Sequence, residues 1–198
     1  MINFKTSQTK ENLMRAFAGE SQARNRYTFA AGVAIKQKQH MIADVFFYTA
    51  NQEKEHANVF YNHLKQLAGE NIHVDGSYPV DLSENLIDLL KSAHHNEYEE
   101  FEDVYQNFAE VAKQEGFLKV AQDFLNIAKI EQTHGDRFQA LATLLENNQL
   151  YVSETTCRYM CLNCGHIYEG TAVPEKCPVC DHDQGYFVRI EFAPYTKD

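Results

Sequence analysis

Apolar residues recur every three or four positions between residues 7 and 148, which is the spacing of helices with one buried face. The pattern predicts four helices, over about 7–37, 41–68, 83–113 and 117–148. Short polar or glycine-containing joints connect the first helix to the second and the third to the fourth, so each pair is expected to be antiparallel. We therefore predict one mainly α-helical domain over residues 1–150.

The connection between the second and third predicted helices, residues 69–82, is longer and contains Gly69, Gly76 and Pro79. Fourteen extended residues reach about 46–50 Å, whereas a helix of about 28 residues is about 42 Å long. The connection can therefore return along the bundle and make helices two and three parallel. One such crossover is typical of a ferritin-like four-helix bundle, and two separate helical hairpins are the alternative. Residues 81–84 carry a capping pattern that predicts the start of the third helix.

Each apolar stripe is interrupted in its middle by acidic residues or histidines. These are Glu20 in the first helix, Glu53 and His56 in the second, Glu97 and Glu100 in the third, and Glu131 and His134 in the fourth. A single acidic residue on a helix most often faces solvent, and one Glu-x-x-His motif arises easily by chance. The shared register of all seven residues, at matching depth in four helices, is what indicates a site inside the bundle.

Five buried carboxylates would each cost several kcal/mol without compensating charge. Two divalent cations would leave a net charge near −1, and oxygen ligands with one imidazole per metal favour iron or manganese over zinc or copper. Glutamates and Glu-x-x-His motifs on facing helices are typical of di-iron bundles, so we predict two non-haem iron ions. Glu53 and Glu131 occupy equivalent places in the two halves and are predicted to bridge the metals. Tyr27 and Tyr105 either hydrogen-bond to these carboxylates or are ordinary core tyrosines.

A second domain is predicted over residues 153–198, where the helical pattern stops. It contains two Cys-x-x-Cys pairs, formed by Cys161, Cys164, Cys177 and Cys180. Four thiolates at this spacing bind iron or zinc tetrahedrally, so a structural zinc ribbon is the alternative to one redox-active iron. Neighbouring aromatic residues and the adjacent redox site favour iron. Cys157 lies outside the spacing and is predicted to be a free thiol.

Charge and hydropathy restrict the class of protein further. The net charge is −10 and the sequence pI is about 5.3, which argues against a nucleic-acid partner. No run of about 18 apolar residues is present, so we expect no membrane span. The first residues lack an apolar secretory core. We therefore expect a cytoplasmic protein, where paired cysteines favour metal binding over disulfides.

Together these motifs resemble the rubrerythrin family, in which a ferritin-like di-iron bundle precedes a rubredoxin-like domain. The resemblance covers essentially the whole chain, and it rests on Glu20, Glu53-Lys-Glu-His56, Glu97-Tyr-Glu-Glu100, Glu131-Gln-Thr-His134 and both cysteine pairs. It implies an NAD(P)H-linked reduction of hydrogen peroxide to water in oxidative-stress defence. Electrons would come from a separate reductase or rubredoxin and pass through the four-cysteine iron. The resemblance also implies a homodimer or larger assembly.

The same resemblance implies a division of the ligands. One iron would be held by Glu20, Glu53 and Glu131 and would exchange Glu100 for His56 on reduction. The other would be held by the ligand set Glu53, Glu97, Glu131 and His134. The chain departs from the rubredoxin-like pattern at Asp181, where glycine is common after the last cysteine.

The distance along the chain between the two predicted centres suggests how subunits are arranged. From His134 to Tyr151 is 17 residues, or about 25 Å of helix. We therefore expect head-to-tail packing in which the cysteine centre serves the bundle site of another subunit. Two rival functions remain open: an iron-storage or ferroxidase protein, and a protein with structural zinc or manganese.

Overall fold

The computed structural model describes residues 2–194. The helices are α1 Gln8–Lys36, α2 His40–His63, α3 Leu86–Glu99, α4 Tyr105–Glu115 and α5 Leu118–Glu146. Ser7 begins α1 as its cap, because its side chain accepts a hydrogen bond from the backbone N–H of Lys10. Gly116, with φ of 91°, ends α4 in the left-handed conformation.

Two apolar clusters lie at opposite ends of the bundle. One joins the end of α1 and the start of α2 to the start of α3 and the end of α5. The other joins the start of α1 and the end of α2 to α4 and the start of α5. Helices α2 and α3 therefore run parallel, and the connection between them returns along the bundle. The prediction of a ferritin-like four-helix bundle with one long crossover, rather than two separate hairpins, is confirmed.

The third predicted helix, over 83–113, corresponds to helical backbone over 86–115 that contains a π turn the prediction lacked. A π turn, Glu100–Val104, separates α3 from α4, and its wider hydrogen bond runs from the N–H of Tyr105 to the carbonyl of Glu100. The extra residue moves the buried face by one position. Helical spacing continued from Glu97 and Glu100 would place Val104, Phe108 and Val111 on the buried face, whereas the structure buries Tyr105, Ala109 and Ala112.

The ends of two helices also differ from the prediction. Helix α2 ends at His63 and is followed by a 3₁₀ turn, Lys65–Leu67, instead of continuing to residue 68. Helix α3 begins at Leu86 because the side chain of Asn85, not residues 81–84, accepts the capping hydrogen bond. Asp81 instead pairs with Arg26 of α1.

The second domain is a small antiparallel sheet built from β1 Val152–Cys161, β2 Ile167–Ala172 and β3 Phe187–Arg189, in the order β2-β1-β3. It packs on the turn between α1 and α2. His40 stacks on Tyr186 with ring centroids 4.1 Å apart. A Cβ atom at Gly185 would lie only 1.8 Å from the carbonyl oxygen of Lys38, so this close contact requires glycine.

Within residues 2–194, no helix is long and apolar enough to cross a membrane.

Candidate metal centres

The acidic residues predicted from the stripes meet between the two apolar clusters. Two groups of ligand atoms each lie within 4.8 Å of one another: Glu20, Glu53, His56 and Glu131 in one, and Glu53, Glu97, Glu131 and His134 in the other. The carboxylates in these groups are at most 1% exposed, and His56 is 7% exposed. Four elements therefore supply one buried, oxygen-rich site.

Each histidine faces a different side of the same two carboxylates. Nδ1 of His56 lies 3.0 Å from Oε2 of Glu53 and 2.9 Å from Oε1 of Glu131. Nδ1 of His134 lies 3.0 Å from Oε1 of Glu53 and 2.9 Å from Oε2 of Glu131. Glu53 and Glu131 thus present one oxygen to each group, which is the arrangement that a pair of bridging carboxylates needs.

One carboxylate completes each group. Oε2 of Glu20 lies 3.8 Å from Nδ1 of His56. Oε2 of Glu97 lies 3.6 Å from Nδ1 of His134. The two imidazole rings are nearly parallel, with centroids 5.6 Å apart. The site is therefore roughly symmetric about the Glu53–Glu131 pair, as the two halves of the sequence suggest.

Several ligand atoms in this site have no hydrogen-bond partner among the described residues. They are Oε2 of Glu20, Oε1 of Glu53, Oε2 of Glu97, both carboxylate oxygens of Glu131 and Nδ1 of His134. Each such buried polar atom costs about 1–3 kcal/mol when unpaired. Because the unpaired atoms lie close together, two cations between them would satisfy all of them at once. The donor set therefore fits a pair of metal ions.

Without cations, bound protons offset the negative charge of the carboxylates in this site. Burial, with repulsion from neighbouring carboxylates, raises the pKa of Glu20, Glu97 and Glu100 well above the usual range. Burial opposes charge on Glu53 too, but the imidazoles of His134 and His56, each 3.0 Å from one of its oxygens, lower its pKa to about 2. Burial likewise opposes charge on the histidines, yet their carboxylate partners raise the pKa of His56 to about 10 and of His134 to about 12. Metal ions would displace these protons.

Two tyrosines hold carboxylates of the site in place. The hydroxyl of Tyr27 donates to Oε1 of Glu97, and the hydroxyl of Tyr105 donates to Oε1 of Glu20. Both tyrosines are buried, and burial raises the pKa of each hydroxyl well above its usual value. The sequence left open whether they were plain core residues, and the structure places them against the acidic site.

Gln52 is a site residue that the sequence did not reveal. Its Oε1 lies 3.0 Å from Nε2 of His134 and accepts that N–H. This contact leaves Nδ1 of His134 unprotonated and directed at the carboxylates when a metal is bound. The two residues are 82 positions apart, so no local pattern connects them.

Glu100 differs from the other predicted ligands. It lies at the start of the π turn, is partly exposed, and belongs to neither group of close ligand atoms, whereas His56 belongs to one. Glu97, Glu131 and Glu53 still lie near enough to raise its pKa. The structure therefore brings His56, and not Glu100, into a group of close ligand atoms.

The four cysteines of the paired motifs form the second cluster, with their sulfurs within 4.8 Å of one another. Sγ of Cys161 lies 3.7 Å from Sγ of Cys180, and Sγ of Cys164 lies 3.7 Å from Sγ of Cys177. A tetrahedral site with metal–sulfur bonds of about 2.3 Å has edges of about 3.8 Å. The sulfurs are thus placed for one tetrahedral metal ion, and Cys157 lies outside this cluster.

Both cysteine turns use the same backbone conformation. The N–H of Gly165 donates to the carbonyl of Cys161, and the N–H of Asp181 donates to the carbonyl of Cys177. Gly165 has φ of 76° and Asp181 has φ of 59°, so aspartate occupies the left-handed region that glycine occupies in the first turn. Aspartate in place of the common glycine therefore leaves the turn unchanged.

The electrostatic environments of the thiols differ across the cluster. The backbone N–H of His182 donates to Sγ of Cys180 and lowers the pKa of that thiol to about 6. Burial raises the pKa of Cys161 to about 12. Near pH 7, metal binding would therefore have to displace a proton from Cys161, whereas Cys180 is already a thiolate.

Comparison with known proteins decides the family. A family model described as Rubrerythrin matches residues 11–142, and one described as Rubrerythrin, rubredoxin-like domain matches residues 159–188. The chain belongs to the rubrerythrin family. The rubrerythrin of Clostridium perfringens is 43% identical over 188 residues, covering 94% of this chain and 96% of that protein. The rubrerythrin of Nitratidesulfovibrio vulgaris is 37% identical over 191 residues, covering 94% and 96%.

Solved structures agree with this family assignment. The fully reduced, all-ferrous state of nigerythrin aligns with a TM-score of 0.62 at 27% identity, covering 96% of this chain and 94% of that chain. A Desulfovibrio desulfuricans bacterioferritin aligns with a TM-score of 0.63 at 23% identity, covering 72% and 82%, and shows the shared fold. In this rubrerythrin-family chain, the carboxylate–histidine groups are the candidate di-iron site and the four cysteines the candidate rubredoxin-like iron site.

Proposed function

We propose that this protein is an oxidoreductase that reduces hydrogen peroxide to water at the bundle site. The balanced reaction is H₂O₂ + 2 H⁺ + 2 e⁻ → 2 H₂O. The observation that carries the proposal is a buried site with ligands for two metal ions, in the same chain as four sulfurs placed for one tetrahedral ion. Family membership supports iron at both places.

The proposed ligands are the seven glutamates and histidines predicted from the stripes, together with the four paired cysteines. When bound, a ferrous pair supplies the two electrons that break the O–O bond. Glu53 and Glu131 would hold both metal ions, because each presents one oxygen to either group. Glu100 is the carboxylate that we propose to replace His56 on oxidation.

Neighbouring side chains orient these ligands and shield most of them from water. Tyr27, Tyr105 and Gln52 orient Glu97, Glu20 and His134 through the hydrogen bonds described above. Fully buried phenylalanines lie on both sides of the site: Phe46 and Phe138 in one apolar cluster, and Phe60 and Phe124 in the other. A water-poor surrounding strengthens the electrostatic interactions that hold the ligand charges.

The position of the cysteine domain supports transfer of electrons between subunits. This domain packs on the turn between α1 and α2, beside His40, and from His40 to Glu53 is 13 residues, or about 20 Å of helix. Electron tunnelling declines exponentially with distance. We therefore propose a head-to-tail homodimer or larger assembly that brings the cysteine centre of one subunit close to the bundle site of another.

The electron source and the cellular location remain proposals as well. We propose that a separate NAD(P)H-linked reductase or a rubredoxin delivers electrons to the four-cysteine iron, and that the protein acts in the cytoplasm in defence against peroxide. The acidic net charge supports a partner that presents basic residues.

The experiment that tests this function compares two oxidants. Iron-loaded protein is reduced without oxygen and then mixed with stoichiometric hydrogen peroxide or dioxygen in a stopped-flow spectrometer. We expect peroxide to oxidise the bundle site at least ten times faster than dioxygen. Faster oxidation by dioxygen would instead indicate a ferroxidase. A colourless protein that retains zinc after growth with excess iron would support purely structural metal sites.

A matched pair of variants separates the two centres. Cys164→Ser is expected to abolish steady-state turnover with a reductase while leaving the single oxidation of a chemically reduced bundle site intact. Glu131→Gln is expected to abolish both, because Glu131 contributes oxygens to both groups. Full steady-state turnover by Cys164→Ser would contradict a role of the cysteine iron in electron delivery.

A further inference from the structure

A cavity of about 330 Å³ lies between α1, the crossover and the π turn. Its walls combine apolar surface with the charged or amide side chains of Arg15, Gln22, Arg26, Asn96, Glu100 and Asn107. The crossover contributes residues 76–79 as the outer wall. The cavity is therefore an open pocket with the crossover on its outer side and the π turn on its inner side.

The inner wall of this cavity is part of the acidic site. Glu100 and Tyr105 both line the cavity, and the hydroxyl of Tyr105 donates to Glu20. Among the carboxylates predicted as ligands, Glu100 is the one that is partly exposed, whereas the others are at most 1% exposed. The cavity is thus the side from which a small molecule can approach the carboxylates without crossing an apolar cluster.

Ion pairs on both sides of residues 76–79 tie the crossover to the bundle. Arg15 pairs with Asp75 at 2.7 Å. Arg26 pairs with Asp81, and the amide of Asn96 donates to the same carboxylate at 2.7 Å. These contacts join the crossover to α1 and α3, so they hold the outer wall in a defined position.

Tyr78 is the part of the outer wall that contacts α1 beside the site. Its hydroxyl donates to the carbonyl of Arg15 at 2.9 Å. Its ring carbon Cε1 would lie 3.6 Å from a Cβ atom at Gly19, the residue before Glu20. Tyr78 is therefore an aromatic wall at the mouth of the cavity, held to α1 by its hydroxyl and by the contact of its ring at Gly19.

We propose that this cavity is the access path and waiting site for hydrogen peroxide, and that Tyr78 sets the size of the molecules that enter. This inference rests on the proposed function. Hydrogen peroxide is small, donates two hydrogen bonds and accepts several, so the charged and amide side chains in the walls suit it. An alkyl hydroperoxide with a bulky apolar group would have to displace the Tyr78 ring and would leave some of these side chains without partners.

The first test blocks the cavity with an indole ring. Ser77 lines the cavity, whereas Val80, in the same segment, is 83% exposed and does not line it, so Ser77→Trp and Val80→Trp are a matched pair. The natural chain contains no tryptophan, so the emission of each variant reports where its indole lies. We expect blue-shifted emission for Ser77→Trp and solvent-like emission for Val80→Trp.

Access to the iron site is then measured with two probes. The association rate of azide with the iron-loaded protein reports access without turnover, and single oxidation by hydrogen peroxide reports the reaction. For Ser77→Trp we expect both rates to fall at least tenfold, and for Val80→Trp we expect the parental rates. Equal rates in the two variants, with the indole of Ser77→Trp buried, would refute the access path. A parent that binds azide but does not react with peroxide would instead refute the proposed function.

The second test removes the aromatic ring of Tyr78. Tyr78→Ala is expected to raise the rate of oxidation by tert-butyl hydroperoxide, relative to hydrogen peroxide, at least fivefold. Tyr78→Phe retains the ring and is expected to retain the parental ratio. The folded state of each variant is checked by circular dichroism and by the visible spectrum of the cysteine iron. An unchanged ratio in well-folded Tyr78→Ala would refute the role of Tyr78 as the size limit.

Discussion

Replacing Gly135 with alanine tests how closely α3 must approach α5 beside the metal site. A Cβ atom at Gly135 would lie 2.6 Å from Cδ2 of Tyr98 and 3.3 Å from Cβ of Glu97. Carbon atoms in favourable contact are about 3.5–4.0 Å apart, so the Tyr98 ring must move by about 1 Å. Such overpacking costs about 1–3 kcal/mol, and we expect Gly135→Ala to lower the free energy of unfolding by that amount.

The same change should weaken metal binding. His134 adjoins Gly135 in the chain, and Glu97 adjoins Tyr98, so a displacement here moves both towards poorer geometry. Changes in residues that support ligands typically cost 10–100-fold in metal affinity. Chelator competition with iron(II) measures the affinity, and urea unfolding of the metal-free protein measures the stability.

A double-mutant cycle decides whether the close contact is the cause. Tyr98→Ala removes the ring that the new methyl group would meet, at the cost of the hydrogen bond from Tyr98 to Asp136. In the Tyr98→Ala background, Gly135→Ala should cost little further stability, which would appear as a coupling energy of about 1 kcal/mol or more. If the two effects simply add, or if Gly135→Ala leaves stability and affinity unchanged, the reasoning from this contact is refuted.

Three further predictions concern the capping of α1, the support of a ligand and the packing of the two domains. Burial opposes charge on Glu115, but hydrogen bonds from the first residues of α1 lower its pKa below the ordinary 4.5. The charged Glu115 therefore stabilises the folded protein above pH 4.5, and this contribution is lost as the pH falls. Glu115→Gln should therefore cost about 0.5–1 kcal/mol at pH 7, and urea unfolding at pH 7 and pH 3.5 should show the difference shrinking at low pH; a constant difference would argue against it. Gln52→Ala should reduce iron affinity about 10–100-fold because Nε2 of His134 loses its acceptor, and chelator competition that gives parental affinity would contradict this. Gly185→Ala should separate the cysteine domain from the turn at Lys38, since backbone atoms would collide; limited proteolysis should then cleave the connection between the domains faster, and unchanged resistance would count against the contact.

The sequence by itself determined which residues are buried along most of the bundle and where the metal ligands lie. Helical periodicity is local, so an acidic residue in an apolar stripe shows its depth without knowledge of the partner helix. Glu20, Glu53 and Glu131 were found in this way, and the structure brings them together. The cysteine spacing is similarly local, because two short turns suffice to place four sulfurs around one point.

The register of the third helix was decided by tertiary structure. One additional residue in the π turn shifts every later position by about 100°, so Tyr105 replaces Val104 on the buried face. The shift brings the hydroxyl of Tyr105 to Glu20 and leaves Glu100 at the edge of the site. Periodicity averaged over the helix cannot reveal a single inserted residue. The apolar and polar residues before and after the π turn each fit a regular helix, so the change of register between them leaves no sign in the pattern.

Contacts between distant segments also required the tertiary structure. Gln52 meets His134 across 82 positions, and the crossover reaches α1 through pairs such as Arg26 with Asp81, 55 positions apart. Such contacts depend on how rigid helices pack and have no repeating pattern in the chain. The cavity beside Glu100 exists only because the crossover returns over the π turn. The sequence thus determined the chemistry of the ligands, whereas packing decided which of them faces the solvent, because exposure depends on neighbours that are remote in the chain.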